Sequence, residues 1–321
     1  MIEPRVDDRA GGQAVWSAGA VADFDATCVA AGCATVRDEG LARHTSMGVG
    51  GPTPLMIWPR RPEAVATVLE WCAARGLGWR VLGGGTNVLV SDAGVGEPVL
   101  NLSALTEGAT VEPPNAVFSA GTPTARALKA TIRRGLQGLV WATGLPGTIG
   151  GAAAGNAGCW GGQMADVVAR IDVVDGSGVW HTLSATELRW SYRSHPLPEP
   201  MRDTAVIVAV ALSLHPHNPA ALQQRSDELH AAKRERQPIG ARNAGCIFRN
   251  PAPDRAAGRL IDDAGCKGLR AGDAQISELH GNFLINHGNA TAAHIDELIA
   301  TVKETVQERF GMVLEEEIHR W

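Results

Sequence analysis

The sequence predicts a chain that mixes helices with short strands in two or three domains, and three observations carry that reading. Its 321 residues, 45% hydrophobic and 20% charged, have ordinary globular composition and exceed one typical domain. Amphipathic helical stripes recur along the chain, and short apolar runs bounded by glycine or turn residues lie between them.

The elements follow in order. In "PEAVATVLEWCAAR", 62–75, Val65, Val68, Leu69 and Cys72 share one helical stripe. "LGWRVLGGGTNVLVSD" reads as strand, glycine turn, strand. "GTPTARALKATIRRGLQG" predicts a helix with Thr122 as N-cap and Pro123 at its first position, grouping Ala127, Leu128 and Ile132 before Gly135. "GLPGTIGGAAAGNAG", 144–158, has six glycines and four alanines in fifteen positions and is almost stripped of side chains. "VARIDVVDGSGVWHTL", 168–183, predicts a hairpin turning at "DGSG", and "AVIVAVALSL", 205–214, a buried strand. A polar helix ends at Pro238. In the last long helix Ile295, Leu298, Val302, Val306 and Phe310 fall on one stripe. "SLHPHNPAA", about 213–221, marks the expected domain boundary.

Composition excludes several function classes. A net charge of −5 offers no general affinity for nucleic acid or anionic membrane. The six cysteines show no CxxC spacing, which predicts a reducing, cytoplasmic setting. Glu3, Asp7 and Asp8 occupy the N-terminal stretch where a secretory signal needs an apolar core, and no apolar run approaches the ~20 residues of a membrane span. His215 and His217 have no nearby third ligand, so no metal is expected.

Chemistry enters with the glycine loops. Glycine lets backbone N–H groups approach phosphate oxygens closely. "GGGTN" (Gly83, Gly84, Gly85, Thr86, Asn87) lacks the GxGxxG spacing and precedes a strand instead of a helix, so alone it reads better as a tight turn than as a phosphate cradle. The second loop adds the suggestion of a large flat ligand lying against backbone. "NAGCIFRNP", 243–251, places Cys246 in a flexible setting; taken alone, such a thiol is a small buried hydrophobe.

Those stretches, with "HTSMGVGGPTPL", "SYRSHPL", "AGRLIDDAGCKGLR", "AQISELHGNFLINHGNAT" and "FGMVLEEEI", fall in an order that resembles the UDP-N-acetylenolpyruvoylglucosamine reductase family in its shorter, type II form. The resemblance implies an α+β fold: a vanillyl-alcohol-oxidase (PCMH-type) FAD-binding domain in two subdomains over 44–213, and an α+β substrate-binding domain over 214–321. Residues 1–43 form an N-terminal extension to which no role attaches. It implies non-covalent FAD, with Gly83 to Asn87 at the pyrophosphate and Gly144, Pro146, Gly147, Gly150, Gly151 and Asn156 lining the rest. It also implies NADPH as co-substrate and a nucleotide-sugar substrate, with no obligate protein partner.

The reaction so implied passes a hydride to C3 of an enolpyruvyl ether and needs a proton at C2. Arg193 and Glu317 match the family's arginine and C-terminal glutamate, while Cys246 stands where most members carry a serine acid. A thiol, with a pKa of about 8.5, keeps that capacity. Tyr192, Arg234, Asn250 and His280 are candidate substrate contacts; Lys233 or Arg236 could replace Arg234, and His280 could equally cap or pack. Gly48, Cys159 and Trp160 depart from the family pattern. The alternative function is another FAD-dependent oxidoreductase of this fold, a sugar or alcohol oxidase, which would require neither Cys246 nor Glu317.

Overall fold

The computed structural model describes residues 16–321, so the acidic stretch with Glu3, Asp7 and Asp8 lies outside the described residues. The described residues build two larger sheets, then a small helix-covered sheet, with three two-stranded pairings besides, around two main hydrophobic cores.

The first sheet runs in the order Ala34–Gly40, Pro52–Trp58, Val99–Asn101, Arg80–Leu82. Its first pair is antiparallel and the others are parallel. Helix Pro62–Ala73 buries the expected stripe of Val65, Val68, Leu69 and Cys72. The helix Ala18–Ala30 and strand Ala34–Gly40 bring most of the N-terminal extension into this fold: Phe24 is fully buried beside Trp16 and Trp71.

The second sheet centres on Val206–Ser213, flanked by Val168–Val174 and Asn115–Ser119. Both faces of its central strand are covered, which is why that strand reads as a continuous apolar run. The predicted hairpin is present, Val168–Val174 pairing with Trp180–Ser184, and Asp175 caps its turn through Ser177 and Val179.

Two expectations at helix ends need correction. Helix Thr124–Arg133 starts one residue later than the Thr122/Pro123 pattern suggests, because Pro123 adopts φ −56°, ψ 134° and is itself the cap. Thr122 does not cap; its backbone carbonyl accepts from Ile149 N at 2.9 Å. In helix Ala292–Phe310 the stripe buries Ile295, Leu298, Val302 and Val306, but Phe310 is 37% exposed. It is the final residue before the left-handed Gly311 cap (φ 67°) and overhangs the core.

The polar helix is Pro219–Arg236. Leu222 joins the large N-terminal core, whereas the second core begins, beyond Met47, Val49 and Leu89, at Ala244. A division at 214 by sequence assigns this helix to the C-terminal part; its packing joins it to the N-terminal one. Between the cores, Asp92 accepts from Ala292 N (2.8 Å) and Ala293 N (3.1 Å) at the start of the last long helix. The C-terminal strand His319–Arg320 pairs in parallel with Val88–Leu89, directly after the first glycine loop.

Candidate active site

A cavity of about 800 Å³ lies where these parts meet. The two glycine loops form one wall, and their lack of side chains is a steric requirement. A Cβ on Gly84 would sit 2.7 Å from Gly147 Cα, and one on Gly147 would sit 2.8 Å from Thr86 Oγ1. Gly85, at φ 62°, faces the carbonyl oxygen of His44 too closely for any Cβ. The loops therefore touch backbone to backbone and leave amides and carbonyls at the cavity surface. Within the second loop a six-residue helix, Ile149–Ala154, starts from Thr148, which accepts from Gly151 N; this short turn was masked in the sequence by its glycines.

Gly83, Gly84, Gly85, Thr86 and Asn87 all line the cavity, as do Gly144, Pro146, Gly147, Gly150 and Gly151. Asn156 does not. Its buried side chain donates to Gln163 Oε1 (3.1 Å) and Ser191 O (3.0 Å) and accepts from Ala165 N, so it shapes the loop from behind.

Arg193, Cys246 and Glu317 come from three distant segments and meet in the lining of the same cavity. Arg193 holds a left-handed backbone, φ 51°. Its Nη2 donates to Gly158 O at 3.1 Å, and its Nε lies 2.8 Å from Glu317 Oε1, an ion contact whose N–H is not aimed at the oxygen. Glu317 is positioned by backbone on both sides: its N donates to Ile247 O (2.7 Å), and its O accepts from Asn87 Nδ2 (3.0 Å). The tail thus ties the glycine loop to the Cys246 loop. Glu316 is turned away onto Lys303 and Arg320, and Glu315 is exposed, so the acidic run contributes only Glu317.

Burial pushes the Glu317 carboxyl above its ordinary value against the opposing charges of Arg193 and Arg249. Burial likewise pushes the Cys246 thiol up to about 12, with Glu317 adding to the shift and Arg193 and Lys233 opposing it. Cys246 is consequently a protonated thiol at neutral pH.

The four predicted substrate contacts do not line the cavity. Tyr192 is 55% exposed beneath the Arg193 guanidinium. Arg234 points outward on the polar helix, while its neighbour Lys233 turns inward, is buried, and donates to Gly144 O at 2.6 Å. One helical position, about 100° of rotation, separates the two. Asn250 accepts from Ala257 N (3.0 Å) ahead of the following helix. His280 packs edge-on against Phe283 and accepts from Asn282 N.

Sequence reasoning missed Arg249, His195 and His319, all on the wall. Burial, with Arg202 nearby, drops His195 to about 4, and burial with Arg249 lowers His319, so both imidazoles favour the neutral form. Arg249 had a signal, since it lies three residues beyond Cys246 in a stretch already singled out. At Gly48 (φ 68°) the Arg242 side chain packs over the missing Cβ. Cys159 lines the cavity and donates to Trp141 O.

A cleft walled by bare backbone, closed at one end by a thiol, a carboxylate and cations, is the arrangement of a nucleotide-cofactor oxidoreductase. Comparison with known proteins agrees: residues 53–184 match the family model described as FAD binding domain, and 237–321 match that of the UDP-N-acetylenolpyruvoylglucosamine reductase C-terminal domain. The reductase of Syntrophus aciditrophicus is 38% identical over 290 residues, covering 89% of this chain and 91% of the relative. That of Desulfosudis oleivorans is 38% identical over 293 residues, 88% and 92% covered. The crystal structure of the Thermus caldophilus reductase superposes with a TM-score of 0.75 at 34% identity, covering 90% of this chain and 98% of that one. The chain belongs to the UDP-N-acetylenolpyruvoylglucosamine reductase family.

Proposed function

We propose that the protein reduces UDP-N-acetylglucosamine enolpyruvate to UDP-N-acetylmuramate, a step in peptidoglycan precursor synthesis, with FAD held non-covalently and NADPH as the reductant. The observation that carries this reading is the convergence of Cys246, Glu317 and Arg193 on a cleft walled by two mutually touching glycine loops.

The loops fit FAD because their glycines let them pack backbone to backbone along the cavity, and backbone N–H groups suit its pyrophosphate. Bound there, FAD supplies the hydride route from NADPH to C3 of the enolpyruvyl ether. The remaining work falls to side chains. Negative charge develops on C2 and its carboxylate as C3 receives the hydride, and the fixed Arg193 guanidinium opposes it. Glu317 and Gly158 O hold that guanidinium in place. Cys246 Sγ gives its proton to C2 and regains one from solvent. Residues 44–213 carry the flavin and 214–321 the nucleotide sugar, with Lys233 reaching back to the flavin-side loop.

The test is anaerobic absorbance at the flavin band. NADPH should bleach it, and the enolpyruvyl substrate should restore it with product formed. Recovery only on admitting oxygen would replace this reading by an oxidase. A second expectation concerns the loops: Gly84→Val forces a branched side chain onto Gly147, so the purified variant should lose nearly all flavin absorbance while its far-ultraviolet circular dichroism persists. Full flavin occupancy in that variant would contradict the assignment of these loops.

A further inference from the structure

Six lysine and arginine side chains line the cavity, and five are engaged: Arg80 pairs with Glu97, Arg202 with Glu199 and Arg320 with Glu316. Arg193 contacts Glu317 and Gly158 O, and Lys233 donates to Gly144 O. Arg249 is different. It lines the cavity, and its Nε, like that of Arg193, is buried without a hydrogen-bond partner. Among the described residues its side chain has no ion pair, although its backbone is well held: Arg249 N donates to Glu315 O at 2.9 Å, and the adjacent Phe248 bridges to Glu316. Its place three residues after Cys246, with its charge felt at both Glu317 and His319, sets it at the reacting end.

A guanidinium taken partly out of water without a counter-ion is costly, so the site is electrostatically complete only when a ligand brings an anion. Arg193 is held at Nε by Glu317 and at Nη2 by Gly158 O, whereas no such partner holds the Arg249 side chain among the described residues. The planar guanidinium matches a carboxylate in two-pronged fashion. Resting on the function proposed above, we infer that Arg249 binds the carboxylate of the enolpyruvyl group, leaving Arg193 to face the charge that develops at C2. Arg249 is thereby the residue that distinguishes a carboxylated nucleotide sugar from its parent.

Two ligands that differ in that group test the inference: UDP-N-acetylmuramate carries the carboxylate and UDP-N-acetylglucosamine lacks it. Calorimetric titration of the flavin-loaded protein should show Arg249→Met weakening the first by at least tenfold, the size of a lost charge-assisted contact, and leaving the second within twofold. Flavin content and melting midpoint report folding. Should methionine impair either, Arg249→Lys carries the test, with a smaller loss again confined to the carboxylated ligand. Equal weakening of both ligands, as a diphosphate contact would give, or no weakening of either, overturns the inference. If the unaltered protein binds neither ligand, the proposed function itself falls, and this inference with it.

Discussion

Cys246→Ala is expected to slow the step that consumes the enolpyruvyl substrate by about 10²- to 10⁴-fold, the span of a lost general acid. Reduction of the flavin by NADPH should remain within a few fold of normal. The split arises because the thiol is placed to serve one half of the cycle. Its high pKa, about 12, has burial as the first cause, so it stays protonated at neutral pH and its activity as a donor should show no loss until well above pH 9. Cys246→Ser keeps a donor of similar size and should recover much of the rate. Stopped-flow measurement of each half-reaction checks both variants. Equal slowing of both halves, or a full rate in the alanine variant, would return Cys246 to the core.

Glu317→Gln preserves shape and removes charge, and kcat should fall by about 10²- to 10³-fold, as expected when the group that fixes a charge-stabilising residue is lost. Glu317 touches Arg193 at 2.8 Å, so the amide would leave a half-buried guanidinium without its anion. The pH dependence has a definite sign. The ionised carboxylate holds Arg193, and burial raises the Glu317 pKa, so kcat should decline as pH falls through a value above the ordinary carboxylate range. In Glu317→Gln that acid limb should disappear. A limb that persists unchanged in the variant belongs to another group.

Much of the architecture was legible in the residues. The stripe of Val65, Val68, Leu69 and Cys72 and that of Ile295, Leu298, Val302 and Val306 are periodic, and each periodic face found a core. The doubly covered strand Val206–Ser213 announced itself as an unbroken apolar run. Thr122 and Phe310 were misjudged because they sit at helix ends, where one residue's backbone angles decide between capping, packing and exposure.

The site divides the same way. Glycines are visible in sequence, and the contacts of Gly84 with Gly147 and of Gly147 with Thr86 explain why both must be glycine; the motifs also drew attention to Arg193, Cys246 and Glu317. Direction was not visible. Arg234 and Lys233 are adjacent in a mostly polar helix whose buried stripe, Leu222, Ser226, Leu229 and Lys233, has only two apolar members, and the packing of that helix turns Lys233 inward. Asn250, Asn156 and His280 carry polar groups suited to a ligand, yet nearby backbone amides or side chains take them up first. Arg249 shows the converse: its residue type is common on surfaces, and its importance appears only when every neighbouring charge has been accounted for. By itself the sequence determined the elements and the backbone-lined loops, because local propensity and glycine geometry depend on near neighbours in the chain, and its resemblance to the family singled out Arg193, Cys246 and Glu317 as candidates. Tertiary structure alone decided which charges face the cavity and which are already paired, because pairing and burial depend on groups brought together from as far apart as Asn87 and Glu317.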